Sequence, residues 1–223
     1  MADFLEATEA WRAAFPGAVV GALVMRGVSN PEHSPGLEAA KRRLEEALRG
    51  GEPDAGVERV LGAYVDYYRA RGKTYHVKAQ RESVARKGKP IPRRAALVEA
   101  MFMAELANLA LTAGHDLDAL DGPLRADATA HGLRYTLLGG AEAVLDGGDM
   151  MMTDGAGIVS SVLRGPDQRT RITPETSSVL FAVYAPPGVG ERVVREHLED
   201  IRANVELIAP AADTVELVTH AAP

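Results

Sequence analysis

The stretch from Leu138 to Tyr184 reads LGGAEAVLDGGDMMMTDGAGIVSSVLRGPDQRTRITPETSSVLFAVY. Two glycine-acid clusters, Gly139-Gly140-Ala141-Glu142 and Gly165-Pro166-Asp167-Gln168-Arg169, punctuate short apolar runs within it. Leu133–Leu138, Met150–Thr153, Gly157–Leu163 and Ser178–Tyr184 read as strands separated by turn residues. Glycine lets a backbone approach a ligand closely, and a carboxylate beside such a gap reads a hydroxyl, an amine or a guanidinium. The pattern suggests a small-molecule pocket between strands; two ordinary hairpin turns are the competing reading.

Working outward, Pro186-Pro187-Gly188 stops the last strand, a helix follows from Glu191 to about Ile208, and Thr214–Val218 suits a sheet edge. On the N-terminal side the texture is helical. Asp3–Phe15 reads as an amphipathic helix with Phe4, Leu5, Ala10 and Trp11 inward. Ala18–Val28 (AVVGALVMRGV) is a continuous apolar run rich in β-branched residues, as expected of a buried strand. Helices follow over Leu37–Leu48 and Val57–Tyr68, the second with Val60, Leu61, Tyr64, Tyr67 and Tyr68 on a core-facing stripe. Gly88-Lys89-Pro90-Ile91-Pro92 is excluded from helix, because each proline pushes its predecessor to extended geometry. Ala95–Ala113 is expected to be the longest helix, apolar on most faces and therefore buried between layers. The expectation is an α+β fold: one layered domain over residues 1–223, helical first and strand-rich second.

The chain has 223 residues, 46% of them hydrophobic and 25% charged, which places it among globular proteins with a sizeable core. Acids rather than lysines follow Met1, and no apolar run is long enough for a bilayer, so a cytoplasmic protein without a membrane partner is expected. The absence of cysteine excludes disulfides, thiolate metal sites and cysteine nucleophiles. The six histidines, His33, His76, His115, His131, His197 and His220, lack zinc-binding spacings. Ser160-Ser161 lies in a strand-like run rather than a Gly-x-Ser-x-Gly elbow. Gly188-Val189-Gly190 lacks the third glycine of a dinucleotide turn. No metal or cofactor is expected, and Glu142, Asp167, Asp154 and His115 remain as a candidate cleft without an evident nucleophile. Hydrolysis there would proceed by direct attack of water, with backbone N–H groups stabilising the oxyanion.

A net charge of −6 argues weakly against a nucleic-acid partner, but its distribution argues for one. Arg69, Arg71, Lys73, Lys78, Arg81, Arg86, Lys87, Lys89, Arg93 and Arg94 follow one another with Glu82 as the only intervening acid. Such segregation is the footprint of a phosphate-binding face, and equally of a solvated helix followed by a loop.

Several collinear segments resemble the free-standing relatives of the B3/4 domain, the editing module of the β chain of bacterial phenylalanyl-tRNA synthetase. Phe15–Gly27 resembles the family's opening strand, and Lys87–Pro92 its proline junction before the long helix. Asn108–Gly122 (NLALTAGHDLDALDG) resembles the helix end and Asp-x-Asp turn, and Leu138–Glu142 the glycine-acid element that lines the pocket. Ile172–Phe181 resembles the closing threonine-glutamate-threonine turn and strand. The resemblance covers nearly the whole chain, and it is the collinear set of segments that makes it specific.

In the synthetase, this module hydrolyses tyrosine mischarged onto phenylalanine tRNA. The resemblance therefore implies a trans-editing aminoacyl-tRNA deacylase serving translation fidelity. Gly139, Gly140 and Glu142 would line the amino-acid pocket, joined by His115, Asp154, Ser160, Asp167 and Tyr184. Asp167 falls near a family glutamate that reads the tyrosine hydroxyl. The family histidine aligns near Ala113, two positions from His115, and Tyr184 stands where the family has a small residue; both depart from the tyrosine-specific pattern. One free-standing branch resembles canavanyl-tRNA deacylase, and the acids Glu142, Asp154 and Asp167 would suit a guanidinium-like group. Arg164, Arg169 or Arg171 could instead neutralise them. Lys87, Lys89, Arg93 and Arg94 are expected to track tRNA phosphates, while the catalytic residue stays unassigned. The rivals are a non-catalytic tRNA- or amino-acid-binding module and a hydrolase of a free ester or amide.

Overall fold

In the computed structural model, which describes residues 4–51 and 53–223, the chain begins β1 (Leu5–Ala7), α1 (Glu9–Ala14), β2 (Val19–Arg26), α2 (Pro35–Gly50), α3 (Ala55–Arg69), α4 (His76–Ala85) and α5 (Ala96–Asn108). It continues through β3 (Thr112–Asp116), β4 (Leu124–Ala128), β5 (Arg134–Thr136), β6 (Glu142–Val144), β7 (Met150–Asp154), β8 (Gly157–Ser161), β9 (Gly165–Pro166), β10 (Ser178–Ala185), α6 (Glu191–Glu206) and β11 (Asp213–Ala221). This is an α+β fold. No helix among the described residues is long and apolar enough to cross a membrane.

The AVVGALVMRGV run supplies β2, an inner strand of an antiparallel sheet ordered β11-β2-β10-β3. Its positions Val19–Met25 are all buried, as are all of β10, which is why both read as unbroken apolar runs instead of alternating ones. Helix α6 lies across this sheet at Gly21, where a Cβ would stand 2.7 Å from Val194 Cγ1 and 3.0 Å from Leu198 Cδ1. A second sheet, ordered β1-β4-β7-β8-β9, is antiparallel except for the β1–β4 pair, and β5 and β6 form a separate hairpin.

Helices α2 to α5 form one consecutive block. Ser34 caps α2, with Pro35 in its first turn, and Asp54 caps α3 by accepting from the Gly56 and Val57 N–H groups at 2.8 and 3.0 Å. The tyrosine stripe of α3 fastens this block to both sheets. Tyr64 donates to the Tyr184 carbonyl at 2.5 Å and accepts from Leu111 N–H at 2.9 Å. Tyr67 donates to Asp149 Oδ1 at 2.6 Å and Tyr68 to the Val162 carbonyl at 2.8 Å. Tyr75 stacks on Tyr64 with ring centroids 4.7 Å apart. Between α2 and α5, buried Lys41 bridges Glu99 at 2.9 Å and Glu38 at 3.1 Å.

Two expected helices are shortened. In place of a helix over Asp3–Phe15, of which Asp3 lies outside the described residues, β1 pairs in parallel with β4, and only Glu9–Ala14 is helical behind its Thr8 cap. The expected Ala95–Ala113 helix ends at Asn108. Leu109 turns left-handed there (φ 58°), its carbonyl accepting from Tyr75 Oη at 2.9 Å, and the chain enters β3. Gly88–Pro92 is not helical, as its prolines require, with Gly88 at φ +66°, Ile91 buried and the Ile91 N–H donated to Glu45 Oε1 at 2.7 Å.

Candidate functional site

The fold distributes the residues expected at one pocket over three places. Gly139 and Gly140 form the exposed tip of the β5–β6 hairpin, closed by Gly140 N–H to Leu137 O at 2.8 Å with Gly140 at φ +82°. Glu142, paired in register with Thr136, projects into solvent and meets Arg134 Nη1 at 2.5 Å. The pocket-lining role expected of Gly139, Gly140 and Glu142 is thereby corrected to that of a hairpin turn. Arg134, whose side chain lies on the same face, takes up the carboxylate.

His115, Asp154 and Asp167 meet in a second, buried network. Asp154 accepts from the N–H groups of Asp121, Ala156 and Gly157 at 3.0, 2.9 and 3.0 Å, and from Arg169 Nη2 at 2.8 Å. Burial works against its ionisation, but these donors outweigh burial and hold its carboxyl below the usual range. Asp167 Oδ1 accepts from both the N–H and the hydroxyl of Thr170, and Oδ2 lies 3.7 Å from Arg169 Nε. Thr170 Oγ1 is also 2.7 Å from His115 Nδ1. With the hydroxyl donating to Asp167, that ring nitrogen donates to the hydroxyl, so Nε2 is an acceptor; it is buried and has no partner among the described residues. Burial pushes His115 down to about 4, with the Asp154 charge opposing and Arg169 reinforcing. The three acids therefore do not face one cavity: Arg169 neutralises Asp154 and Asp167, and Arg134 pairs with Glu142. Asp167 and Arg169 do line a shallow depression of about 280 Å³ beside the hairpin.

The third place is an inter-sheet cavity of about 310 Å³. One wall is the β8–β9 connection, Ser161 to Pro166; the other is Leu111–Ala113 of the β3 region with Tyr184 of β10; α3, α4 and α5 close it with Tyr68, His76 and Glu105. Tyr184, expected at the site, lines this cavity, and its hydroxyl hydrogen-bonds the buried Ser160 hydroxyl behind the wall. Burial raises the phenol pKa of Tyr184, keeping it a neutral hydrogen-bonding group.

Glu105 is the cavity's acid, and its sequence setting hid it. It stands in a helix with apolar residues on most faces, 5% exposed, its Oε1 accepting from Thr112 N–H at 2.8 Å. Burial lifts the carboxyl to about 8 against the opposing pull of that hydrogen bond. A second carboxylate among the apolar residues of α5, beside Glu99, was the available signal. His76 is solvent-exposed in part, yet the surrounding protein lowers its pKa by desolvation. The cavity thus combines Leu111, Val162 and Leu163 with the Ser161 and Thr112 hydroxyls, the Arg164 guanidinium, a protonated acid, a neutral imidazole and a phenol, a set able to orient a small polar molecule and move protons around it. Thr112 of the lining lies with its hydroxyl 2.7 Å from His197 Nε2, but Asn108 Nδ2, which also donates to Asp200, sits 3.2 Å from Nδ1, so Nε2 carries the ring proton and donates to the hydroxyl instead of activating it as a base. No cluster able to hold a metal ion forms among the described residues.

The expected phosphate contacts, Lys87, Lys89, Arg93 and Arg94, are all exposed on the segment joining α4 to α5. Arg93 Nε lies 4.0 Å from Glu38 Oε1, and Arg94 donates its backbone N–H to Glu99 Oε1 at 2.5 Å. Helix α4, about 15 Å long, separates this segment from His76 at the inter-sheet cavity.

Among solved structures, the fold is similar to that of an N-terminal fragment of the phenylalanyl-tRNA synthetase β-subunit from Pyrococcus horikoshii, with a TM-score of 0.51 and 10% sequence identity. The match covers 96% of this chain and 53% of that one, so the chain spans about half the length of the fragment. No protein-family model and no curated protein matches the sequence. At this identity the likeness is one of fold, and it supports the resemblance to the synthetase β chain at that level.

Proposed function

We propose that this protein is a trans-editing aminoacyl-tRNA deacylase, and that the inter-sheet cavity receives the aminoacyl group. The observation that carries the reading is the cavity itself. It is of amino-acid size, lined by mixed apolar and polar side chains, and furnished with Glu105, His76, Tyr184 and Arg164 within a synthetase β-subunit-like fold. In the proposed reaction, water adds to the ester carbonyl carbon and the bond to the ribose oxygen breaks. A proton passes to that leaving hydroxyl, freeing the amino acid and the uncharged tRNA. A neighbouring ribose hydroxyl and backbone N–H groups would assist, and His76 is a group able to accept the water's proton near neutral pH.

Preference for a cationic side chain of the canavanine or arginine type, first suggested by three acids, now rests on Glu105, the cation of the lining, Arg164, being paired with Asp146 at 3.3 Å. A guanidinium entering beside it would draw the carboxyl into its charged form and form a charge-assisted bond. The lack of a nucleophile-base pair favours a second reading, a non-catalytic module that binds tRNA or an amino acid.

A deacylation panel decides between them: tRNAs charged with tyrosine, meta-tyrosine, canavanine and arginine, incubated with protein or buffer. The expected result is enzyme-dependent release from canavanyl- or arginyl-tRNA, lost in Glu105→Ala. Faster release from tyrosyl-tRNA rejects the cationic preference while keeping the deacylase. Release no faster than in buffer for every tRNA, with tRNA binding intact, establishes the binding module.

A further inference from the structure

A larger cavity, of about 510 Å³, opens between the C-terminal end of α2, the first turns of α3 and the face of α4. Leu48, Leu61 and Leu109 give it an apolar floor. Around that floor stand the cations Arg49, Lys78, Arg81 and Arg86, against the acids Glu58 and Glu82. One cation is fixed in place: Arg81 Nη1 donates to the Leu106 and Ala107 carbonyls at 2.6 and 2.9 Å, closing the end of α5. Another ties the cavity to the basic α4–α5 segment, Arg49 Nη2 pairing with Glu45 Oε2 at 3.3 Å and reaching the Gly88 carbonyl at 3.5 Å.

An apolar floor beneath a cationic rim matches a nucleotide, whose base needs apolar contact and whose phosphate needs guanidinium and ammonium donors. The position is equally telling. Leu109 lines this cavity and Leu111 the inter-sheet one, while α4 turns His76 towards the inter-sheet cavity and Lys78 towards this one. Two residues along a helix advance about 3 Å, so the two cavities share a wall. From this one the basic side chains continue through Arg86 to Lys87 and Lys89.

We infer that this second cavity binds a nucleotide of the tRNA 3′ strand immediately preceding the aminoacylated nucleoside. The inference rests on the deacylase reading for the identity of the strand. It goes beyond that reading in assigning a separate nucleotide subsite, with the phosphate on the Arg49, Lys78 and Arg86 rim and the base over Leu61 and Leu109.

The test uses the full chain and the uncharged RNA trinucleotide CCA, with its dissociation constant measured against salt. Lys78→Ala/Arg86→Ala removes two exposed rim cations. It is expected to weaken CCA binding about tenfold and to reduce the slope of log affinity against log salt by about 0.7, the share of the one phosphate placed on this rim. Leu61→Trp fills the floor but keeps the rim, and should weaken binding while preserving the slope. Unchanged affinity and slope in both variants overturn the inference, even if charged tRNA is hydrolysed. CCA binding no tighter than that of adenosine monophosphate also overturns it, since a strand site must gain from the added nucleotides. Wild-type protein that shows the predicted RNA dependence but hydrolyses no aminoacyl ester rejects the deacylase and leaves the nucleotide subsite standing.

Discussion

Glu105 holds its proton up to about pH 8 in the folded protein, whereas the same carboxyl ordinarily titrates at 4.5. Between those values folding takes up a proton, so this group makes stability fall as pH rises, by at most about 1.4 kcal/mol per pH unit. Glu105→Gln retains an oxygen to accept from Thr112 N–H and has no proton to lose. Urea unfolding at about pH 5, 6.5 and 8 should therefore show the variant gaining on the wild type towards alkaline pH; parallel profiles would mean that Glu105 ionises freely in the fold. The contrast with Glu142 shows why the site was only half legible. Glu142 sits beside glycines and looks like an anchor, but register places Arg134 on its face, and no local pattern reveals a cross-strand partner. Tyr184 was named through the resemblance alone, as the residue standing where the family has a small one, and it lines the cavity; Glu105 was missed because it interrupts a helix whose apolar residues dominated the reading.

Lys41 illustrates how the helical layer is fastened. Its ammonium is buried with Glu99 and Glu38, joining α2 to α5, and Glu99 in turn accepts from Arg94 N–H at the start of α5. Lys41→Ala would leave the Glu99 carboxylate buried without its cation, at a cost of about 3–5 kcal/mol. Lys41→Met with Glu99→Leu removes both charges and should recover most of that loss in urea melts; equal losses in the single and double variants would assign the effect to packing. Of the elements themselves, those with a continuous signal were legible: β2 and β10 as apolar runs, α2 and α3 as helical stretches, and α6 after its proline-glycine stop. Others were set by distant contacts. The end of α5 depends on a left-handed Leu109 that no glycine marks and that Tyr75 secures from another helix. Strand β1 has three residues, too few for a period, and exists because β4 lies beside it.

Charge is segregated over the molecule. The chain carries −6 overall, yet Lys78, Arg86, Lys87, Lys89, Arg93 and Arg94 are all exposed along α4 and the segment after it. That arrangement separates phosphate attraction from the chemistry of the inter-sheet cavity: the cations lie on one side of α4, whereas Glu105 and Tyr184 are enclosed between layers that the α3 tyrosines hold together. Contacts with phosphates position a nucleic acid without reading its sequence. Lys87→Glu with Lys89→Glu reverses two exposed charges in a segment whose backbone is anchored independently, through Lys89 N–H to Ser83 O and Ile91 N–H to Glu45. Thermal unfolding should therefore stay close to that of the wild type, since exposed substitutions away from such anchors shift stability by about 0.5 kcal/mol or less. Affinity for unrelated uncharged tRNAs should fall together at low salt, and the variant and wild-type curves should converge as salt screens the difference. Equal affinities at low salt would assign these lysines to solvation alone and shift any phosphate contact to the cavity between α2, α3 and α4.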